Sequence, residues 1–461
     1  MSRGLGSYQR VLRCGAMLFR PCISLTPSAK LFQNKSLHPT WNGNCPIASP
    51  FVAKWHSTGP VSDVITQMKS QGVSDIIPQG KHLEITWNDE TASRFYSLWL
   101  RKNCHCRLCR HENGQLLLPS FSLPESLTVK SASIKSENGA LNIDWNEEDH
   151  VTTIPLQYLK DNCYSDKSLQ EESNKLEVSV CQDLREHHYE DLLSAKDNDN
   201  SFLTDLNEVG LVLVKGVPQE PDQVNKVAEI VSHVQETFYG KSFSVESTQN
   251  AINLAYTPDA LELHMDLVYF QSPPGLQLLH CLRFDEQVEG GESVFLDSIL
   301  VAQEMQQNYP ELFETLLRVP ATFQKIHFDR EVPAAYIYRR PHITVTPEGK
   351  INSVIWSPPF EGPLRVPEKD VEPYYKAYRK LAELINNSKQ KISKRLQPGD
   401  CIVFNNMRIL HARNAFMLNG GKRRLMGCYV NIDDFKSRVQ VVHMKKGSGT
   451  MAKRVNNGDW S

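Results

Sequence analysis

No stretch of this chain stays apolar for the roughly 20 residues that a membrane-spanning helix needs, and neither sign of charge prevails. Against 53 acidic side chains stand 51 basic ones, for a formal net charge of −2. The missing apolar run excludes a helical span. The missing basic excess excludes the electrostatic footprint of a nucleic-acid-binding surface. Chemistry on a small molecule is the class left to test. With 40% hydrophobic residues over 461 positions, the chain can build sizeable cores in about two or three domains.

One absence is local. Residues 1–62 contain no Asp or Glu, yet carry Arg3, Arg10, Arg13, Arg20, Lys30, Lys35 and Lys54 among many Ser, Leu and Pro. This composition predicts a mitochondrial transit peptide and linker over 1–60, and a mature protein in the mitochondrial matrix. Matrix thiols stay reduced, so the scattered Cys163, Cys181, Cys281, Cys401 and Cys428 are expected to be free.

Cys104, Cys106 and Cys109 differ, because they put three thiols on one tight turn, as a tetrahedral zinc site requires. A fourth ligand is needed. His105 and His111 are the local candidates, although His105, between two ligands, would have to turn back on the same ion. Around this cluster the sequence repeats itself. Leu83-Glu84-Ile85-Thr86-Trp87-Asn88 recurs as Leu141-Asn142-Ile143-Asp144-Trp145-Asn146, and Leu98 to Cys104 recurs loosely as Leu156 to Cys163. The repeat predicts two similar strand-and-turn units packed face to face and clamped by zinc, with Cys163 a copy that lacks the cluster. A small zinc-binding N-terminal β domain is thus expected over 61–165, and a charged, polar linker over 166–200.

Farther on stands His264-Met265-Asp266, and much later His411. Residues i and i+2 of a strand point the same way, so His264 and Asp266 can reach one ion. Two imidazoles and a carboxylate on one face of a metal form the non-haem Fe(II) set, which leaves positions open for a co-substrate and dioxygen. Arg423 follows on a segment that alternates like a strand. Directed inward, it suits the distal carboxylate of 2-oxoglutarate, which a guanidinium can grip with two hydrogen bonds. Strands are expected at 210–217, 276–284, 399–404 and 424–430. Helices are expected after Pro221 and Asp222 through Val234, from Asp297 and Ser298 through Met305, and from Glu368 to Asn386.

From about Tyr239 to Val439 the chain resembles the gamma-butyrobetaine and trimethyllysine dioxygenases, enzymes of carnitine synthesis in the taurine dioxygenase-like superfamily. The resemblance is carried by Tyr239-Gly240, Asn253-Leu254-Ala255-Tyr256-Thr257, His264-Met265-Asp266, Pro274 to Cys281, Gly290-Gly291-Glu292-Ser293, Arg408-Ile409-Leu410-His411 and Arg423 to Tyr429. It implies a mainly β architecture with some α, a double-stranded β-helix (jelly roll) over 201–445 followed by a tail over 446–461. It also implies Fe(II) held by His264, Asp266 and His411, with 2-oxoglutarate and O2 as co-substrates and ascorbate as reductant; the zinc module, lacking a basic face, is read as structural and dimerising, so a homodimer is expected. Arg423 rather than Arg424 matches the family's 2-oxoglutarate arginine, with Ser293 as a second partner. The fourth zinc ligand becomes His150, because the family's N-terminal domain binds zinc through a Cys3His set.

The same resemblance implies an aromatic cage of Tyr239, Phe243, Tyr256 and Tyr429 for a trimethylammonium group, and Asn253 for a substrate carboxylate. Gamma-butyrobetaine, hydroxylated to carnitine, is the expected substrate. Trimethyllysine is the alternative, favoured by Tyr269-Phe270-Gln271 and the leader, and a paralogue acting on another small molecule is a third possibility. Departures lie at the substrate end. Phe243 stands where the family has tryptophan, and no asparagine occurs at Trp356-Ser357-Pro358-Pro359. The non-enzymatic alternative is a zinc-containing interaction protein with a degenerate barrel.

Overall fold

The computed structural model describes residues 72–446, apart from 120, 136–138, 176–180, 182–183, 195–200, 248–256 and 329–332, together with 452, 454–455 and 458–459. The expected leader lies outside the described residues, as do Asn253 and Tyr256.

The sequence repeat is a structural repeat. Strands β1 (Val73–Gln79), β2 (His82–Trp87) and β3 (Ala92–Tyr96) form one antiparallel sheet, closed by helix α1 (Ser97–Lys102). Strands β4 (Val129–Lys135), β5 (Ala140–Trp145) and β6 (Thr152–Pro155) form a second, closed by α2 (Leu156–Asp161). Alternate residues of the two central strands, Leu83, Ile85 and Trp87 with Leu141, Ile143 and Trp145, meet in one core, as a period of two dictates for strands with one buried face. Even the tryptophan hydrogen bonds repeat. Trp87 Nε1 donates to Ser93 Oγ at 2.8 Å, and Trp145 Nε1 to Thr152 Oγ1 at 3.0 Å.

Two further sheets make the larger body. Six strands run in the order β7 (Arg185–His188), β8 (Leu211–Lys215), Cys401–Asn405, Leu276–Phe284, Arg423–Val430 and Phe243–Glu246. Four more run as Leu261–His264, Ile409–Arg413, Ser293–Asp297 and Ile392–Lys394. Antiparallel pairing dominates both sheets. They fit a jelly roll with helices Gln223–Val231, Ser298–Asn308, Pro310–Arg318 and Glu368–Asn387 in a mixed α/β protein. The strand Leu276–Phe284 has eight of its nine residues buried, because it pairs on both edges and is covered on both faces.

Two expectations need correction. The linker assigned to 166–200 contains Arg185–His188, which pairs in parallel with Leu211–Lys215, so the catalytic sheet begins inside it. Asp222 does not cap the following helix through its side chain. It adopts φ of +64° and its carboxylate accepts instead from Ser242 Oγ at 2.6 Å, while the helix stops at Val231 rather than Val234. Within the expected tail, Ala452 and Val455 are buried and Ala452 exchanges two hydrogen bonds with Gln440. The hairpin of Ala321–His327 and Ala334–Arg340 was not anticipated at all.

Candidate functional site: a triad in the barrel

His264 closes its strand, and His411 is its direct antiparallel partner. The two rings are 4.2 Å apart between centroids. Asp266 arrives differently from the sequence expectation. The strand ends at His264, and Asp266 sits in the turn that follows, where Leu267 takes φ of +57°. Asn406 fixes that turn. Its Oδ1 accepts from the Asp266 N–H at 2.9 Å, and its Nδ2 donates to the carbonyls of Asp266 and Pro274, both at 3.1 Å. One ligand atom from each of His264, Asp266 and His411 then lies within 4.8 Å of the others.

The donor set fits a divalent cation. His264 Nδ1 lies 2.7 Å from the Glu262 carbonyl; a carbonyl can only accept, so Nδ1 carries a proton, and in the neutral ring Nε2 is the nitrogen free to ligate. That nitrogen faces Asp266 Oδ1 at 3.5 Å. Two acceptors so placed need a positive charge between them. Burial alone would lower the pKa of His264, but the Asp266 carboxylate outweighs it and raises the value. Burial pushes Asp266 up, but His264, His411 and Tyr429 together hold it below the usual carboxylate range. Burial and the neighbouring His264 press His411 down to about 3, so its ring is neutral at physiological pH, the form that ligates a metal.

Arg423 is buried, with 4% of its surface exposed. Its Nη2 donates to the Gly291 carbonyl at 3.2 Å, and its Nε has no hydrogen-bond partner. The rings of Phe284 and Phe416 lie 5.2 and 5.4 Å away. Burial, and then the nearby Arg413, bring its pKa down to about 10. It is therefore still a cation at neutral pH, in an apolar setting that needs an anion. Arg424, by contrast, is partly exposed and faces Ser244 and Glu246. Ser293 is buried in the other sheet, on the strand Ser293–Asp297, where it stands opposite Arg413.

A cavity of about 270 Å³ opens beside the triad, walled by Tyr239, Phe243, Tyr269, Phe360 and Tyr429, with Glu262, His264 and Asp266 at its polar side. Phe243 stacks on Tyr429, centroids 5.2 Å apart and planes 28° apart, and Tyr239 lies 5.7 Å from Phe243. The stack is possible because residue 427 is glycine. A Cβ there would come within 2.4 Å of Phe243 Cζ.

A second constellation lies in the duplicated unit. Sγ of Cys104, Cys106 and Cys109 are 3.4, 3.8 and 3.5 Å from His150 Nε2, a compact set that could hold one zinc ion. His105 turns away, its Nδ1 at 2.8 Å from the Asn103 carbonyl, and His111 engages the Asn113 N–H. Arg101, 3% exposed, ties the cluster together. It donates to Cys109 Sγ at 3.0 Å and to both carboxylate oxygens of Glu148 at 2.7 and 2.6 Å.

Residues 173–429, more than half of the chain, match the family described as taurine catabolism dioxygenase TauD, TfdA family. The chain belongs to that family. The TauD/TfdA dioxygenase also matches, over 75–154, the domain described as gamma-butyrobetaine hydroxylase-like, N-terminal. It is 30% identical over 366 residues to the gamma-butyrobetaine dioxygenase of a Pseudomonas species, covering 78% of this chain and 93% of that one. With the human gamma-butyrobetaine dioxygenase it shares 29% over 384 residues, covering 80% and 97%. With the human trimethyllysine dioxygenase, mitochondrial, it shares 26% over 403 residues, covering 86% and 91%. The chain is a 2-oxoglutarate-dependent dioxygenase that uses iron.

Sequence reasoning missed several residues at this centre. Gln277 stands inside the matched stretch Pro274 to Cys281 and Asn406 in the turn just before Arg408, but a lone Gln in an apolar strand or a lone Asn in a turn carries no sign of what it will bond. Glu262 shares a strand face with His264, which the i, i+2 rule makes legible. Tyr269 and Phe360 join the wall from a turn and a single-turn 3-10 helix (Pro358–Phe360), which periodicity does not reach.

Proposed function

We propose that this dioxygenase hydroxylates a trimethylammonium compound, with gamma-butyrobetaine, the precursor of carnitine, as first candidate. The observation that supports the reading best is the aromatic wall of Tyr239, Phe243 and Tyr429 beside the triad. A quaternary ammonium cannot form hydrogen bonds, and aromatic faces attract it through the ring quadrupole, worth about 0.5–2 kcal/mol per contact. His264, Asp266 and His411 would ligate Fe(II), and Arg423, with Ser293 as a second partner, would grip the far carboxylate of 2-oxoglutarate. Bound iron, with 2-oxoglutarate and O2, supplies the oxidation: 2-oxoglutarate becomes succinate and carbon dioxide while a C–H bond becomes C–OH. The chain itself would orient the substrate carbon, and the aromatic wall would limit the water that reaches the reacting groups.

A second reading, trimethyllysine, is favoured by Glu262. Its carboxylate opens onto the cavity from the same strand face as His264. An α-ammonium, which trimethyllysine has and gamma-butyrobetaine lacks, would complement it. Incubating the purified protein with Fe(II), ascorbate and 2-oxoglutarate, and following succinate, tests both. Stimulation by gamma-butyrobetaine alone supports the first reading, stimulation by trimethyllysine alone the second. If no betaine or methylated lysine stimulates turnover, the trimethylammonium reading falls. Ascorbate as reductant, zinc on Cys104, Cys106, Cys109 and His150, a homodimer and import into the matrix belong to the same proposal.

A further inference from the structure

Gln277 and Tyr429 stand directly opposite one another on neighbouring antiparallel strands, and both side chains end on one atom. Gln277 Nε2 donates to Asp266 Oδ2 at 2.8 Å, and the Tyr429 hydroxyl donates to the same oxygen at 2.8 Å. The other oxygen, Oδ1, is the one that faces His264 Nε2. Both donors are almost fully buried, at 1% and 2% exposure. The orientation of the Gln277 amide is fixed by chemistry, because a carboxylate only accepts and the amide nitrogen must face it. This choice leaves Gln277 Oε1 buried with no hydrogen-bond partner. Buried amides are rarely left half-satisfied, and an isosteric apolar side chain at 277 would avoid the penalty. Keeping Gln there makes sense if its N–H has work to do on Asp266.

We infer that Gln277 and Tyr429 are positioning residues that occupy Asp266 Oδ2 and so restrict the carboxylate to a single oxygen, Oδ1, toward the metal. A carboxylate free to turn can offer both oxygens to one ion and take up a position that the co-substrate or O2 needs. Two donors on Oδ2 forbid that turn. The inference rests on the proposed assignment of His264, Asp266 and His411 as the iron ligands. It also gives Tyr429 two separable functions. Its ring stacks on Phe243 in the cavity wall, while its hydroxyl serves the ligand carboxylate.

The test uses the full chain with Gln277→Met and Tyr429→Phe, two near-isosteric changes, and thermal melts of the metal-free proteins establish that each variant folds. Fe(II) affinity is measured anaerobically by calorimetry, and the visible absorption of the Fe(II) and 2-oxoglutarate complex is recorded. Each variant should bind Fe(II) about 10-fold or more weakly, the usual consequence of removing a partner of a metal ligand, and the absorption band should move. With substrate present, succinate formed per hydroxylated product should rise above one. Because Tyr429 also belongs to the cavity wall, the Fe(II) affinity of Tyr429→Phe is compared with no substrate present, where the wall has no ligand to hold. If both folded variants keep native Fe(II) affinity, band position and coupling, Gln277 and Tyr429 do not position Asp266, and the inference is overturned. If the native protein itself binds no Fe(II), the assignment of the triad fails, and this inference fails with it.

Discussion

Arg408 and Asp297 form an ion pair that is almost wholly dry: Nη2 lies 2.6 Å from Oδ2, and the side chains are 1% and 2% exposed. The pair ties the approach to the His411 strand to the end of the strand Ser293–Asp297, where Asp297 also accepts from the Ile299 N–H at 3.1 Å. Arg408 further donates to the Glu208 carbonyl at 2.9 Å. Replacing Arg408 by Met would leave a buried carboxylate without a counter-charge, and stability should fall by about 3–5 kcal/mol. Replacing both partners, by Met and Leu, should recover much of that loss. Urea titrations of the single and double variants check this, and equal stability of the single variant and the native protein would refute it.

Arg423 has a free Nε and an apolar cradle, so its guanidinium should be the main anchor of 2-oxoglutarate. Arg423→Ala should raise the 2-oxoglutarate Kd about 100-fold, in line with roughly 2–5 kcal/mol for truncating one partner of a buried charge pair. Arg423→Lys should rescue little, because a point charge cannot replace a planar fork. Binding of 2-oxoglutarate by calorimetry decides the matter.

Gly427 seats Phe243. Adding one methyl group in Gly427→Ala should displace that ring from the cavity wall and raise the KM of the trimethylammonium substrate about 10-fold, while 2-oxoglutarate binding stays native. Steady-state kinetics with each substrate varied in turn would expose the difference. Equal effects on both would point to general disruption instead.

The Arg101 fork joins the cysteine turn to the segment that carries His150. Native protein should contain one zinc ion per chain by elemental analysis. Arg101→Leu should weaken its retention against a chelator by about 10–100-fold, since outer partners of metal ligands commonly contribute that much. Full retention would mean that the thiols and His150 suffice.

Glu361 supplies a pH test. Burial raises its carboxyl from 4.5 to about 7, despite a hydrogen bond from Tyr378. Between those values the folded protein holds a proton that the unfolded chain releases, so this group's contribution to stability falls as pH rises through that window. Glu361→Gln does not titrate. Its stability relative to the native protein should therefore increase by about 2 kcal/mol between pH 4.5 and 7.5, a reduced allowance for a partly exposed group. A constant difference in urea midpoints across that range would exclude the effect.

Much of the architecture was legible because it rests on period and chemistry. The strand at 276–284 and the helix from Glu368 were read to within a residue, since both are long and sharply patterned, and the repeat around Trp87 and Trp145 announced the twin sheets. The convergence of His264 with His411 could be anticipated only as a requirement, because nothing local to either histidine encodes a pairing between strands so far apart. Asp266 shows the limit most clearly. Its reach was attributed to strand alternation, yet the strand stops short and a hydrogen-bonding asparagine, distant in sequence, does the turning. The hairpin Ala321–His327 with Ala334–Arg340 escaped because its mixed polarity on both faces leaves no clear period.

His264 and His411 being immediate cross-strand neighbours has a bearing on how the protein folds. A one-residue slip between those strands would send one imidazole to the opposite side of the sheet, and a slipped barrel could not chelate. Ferrous ion would thus act as a proofreader of strand alignment, drawing the population toward the correct pairing by mass action.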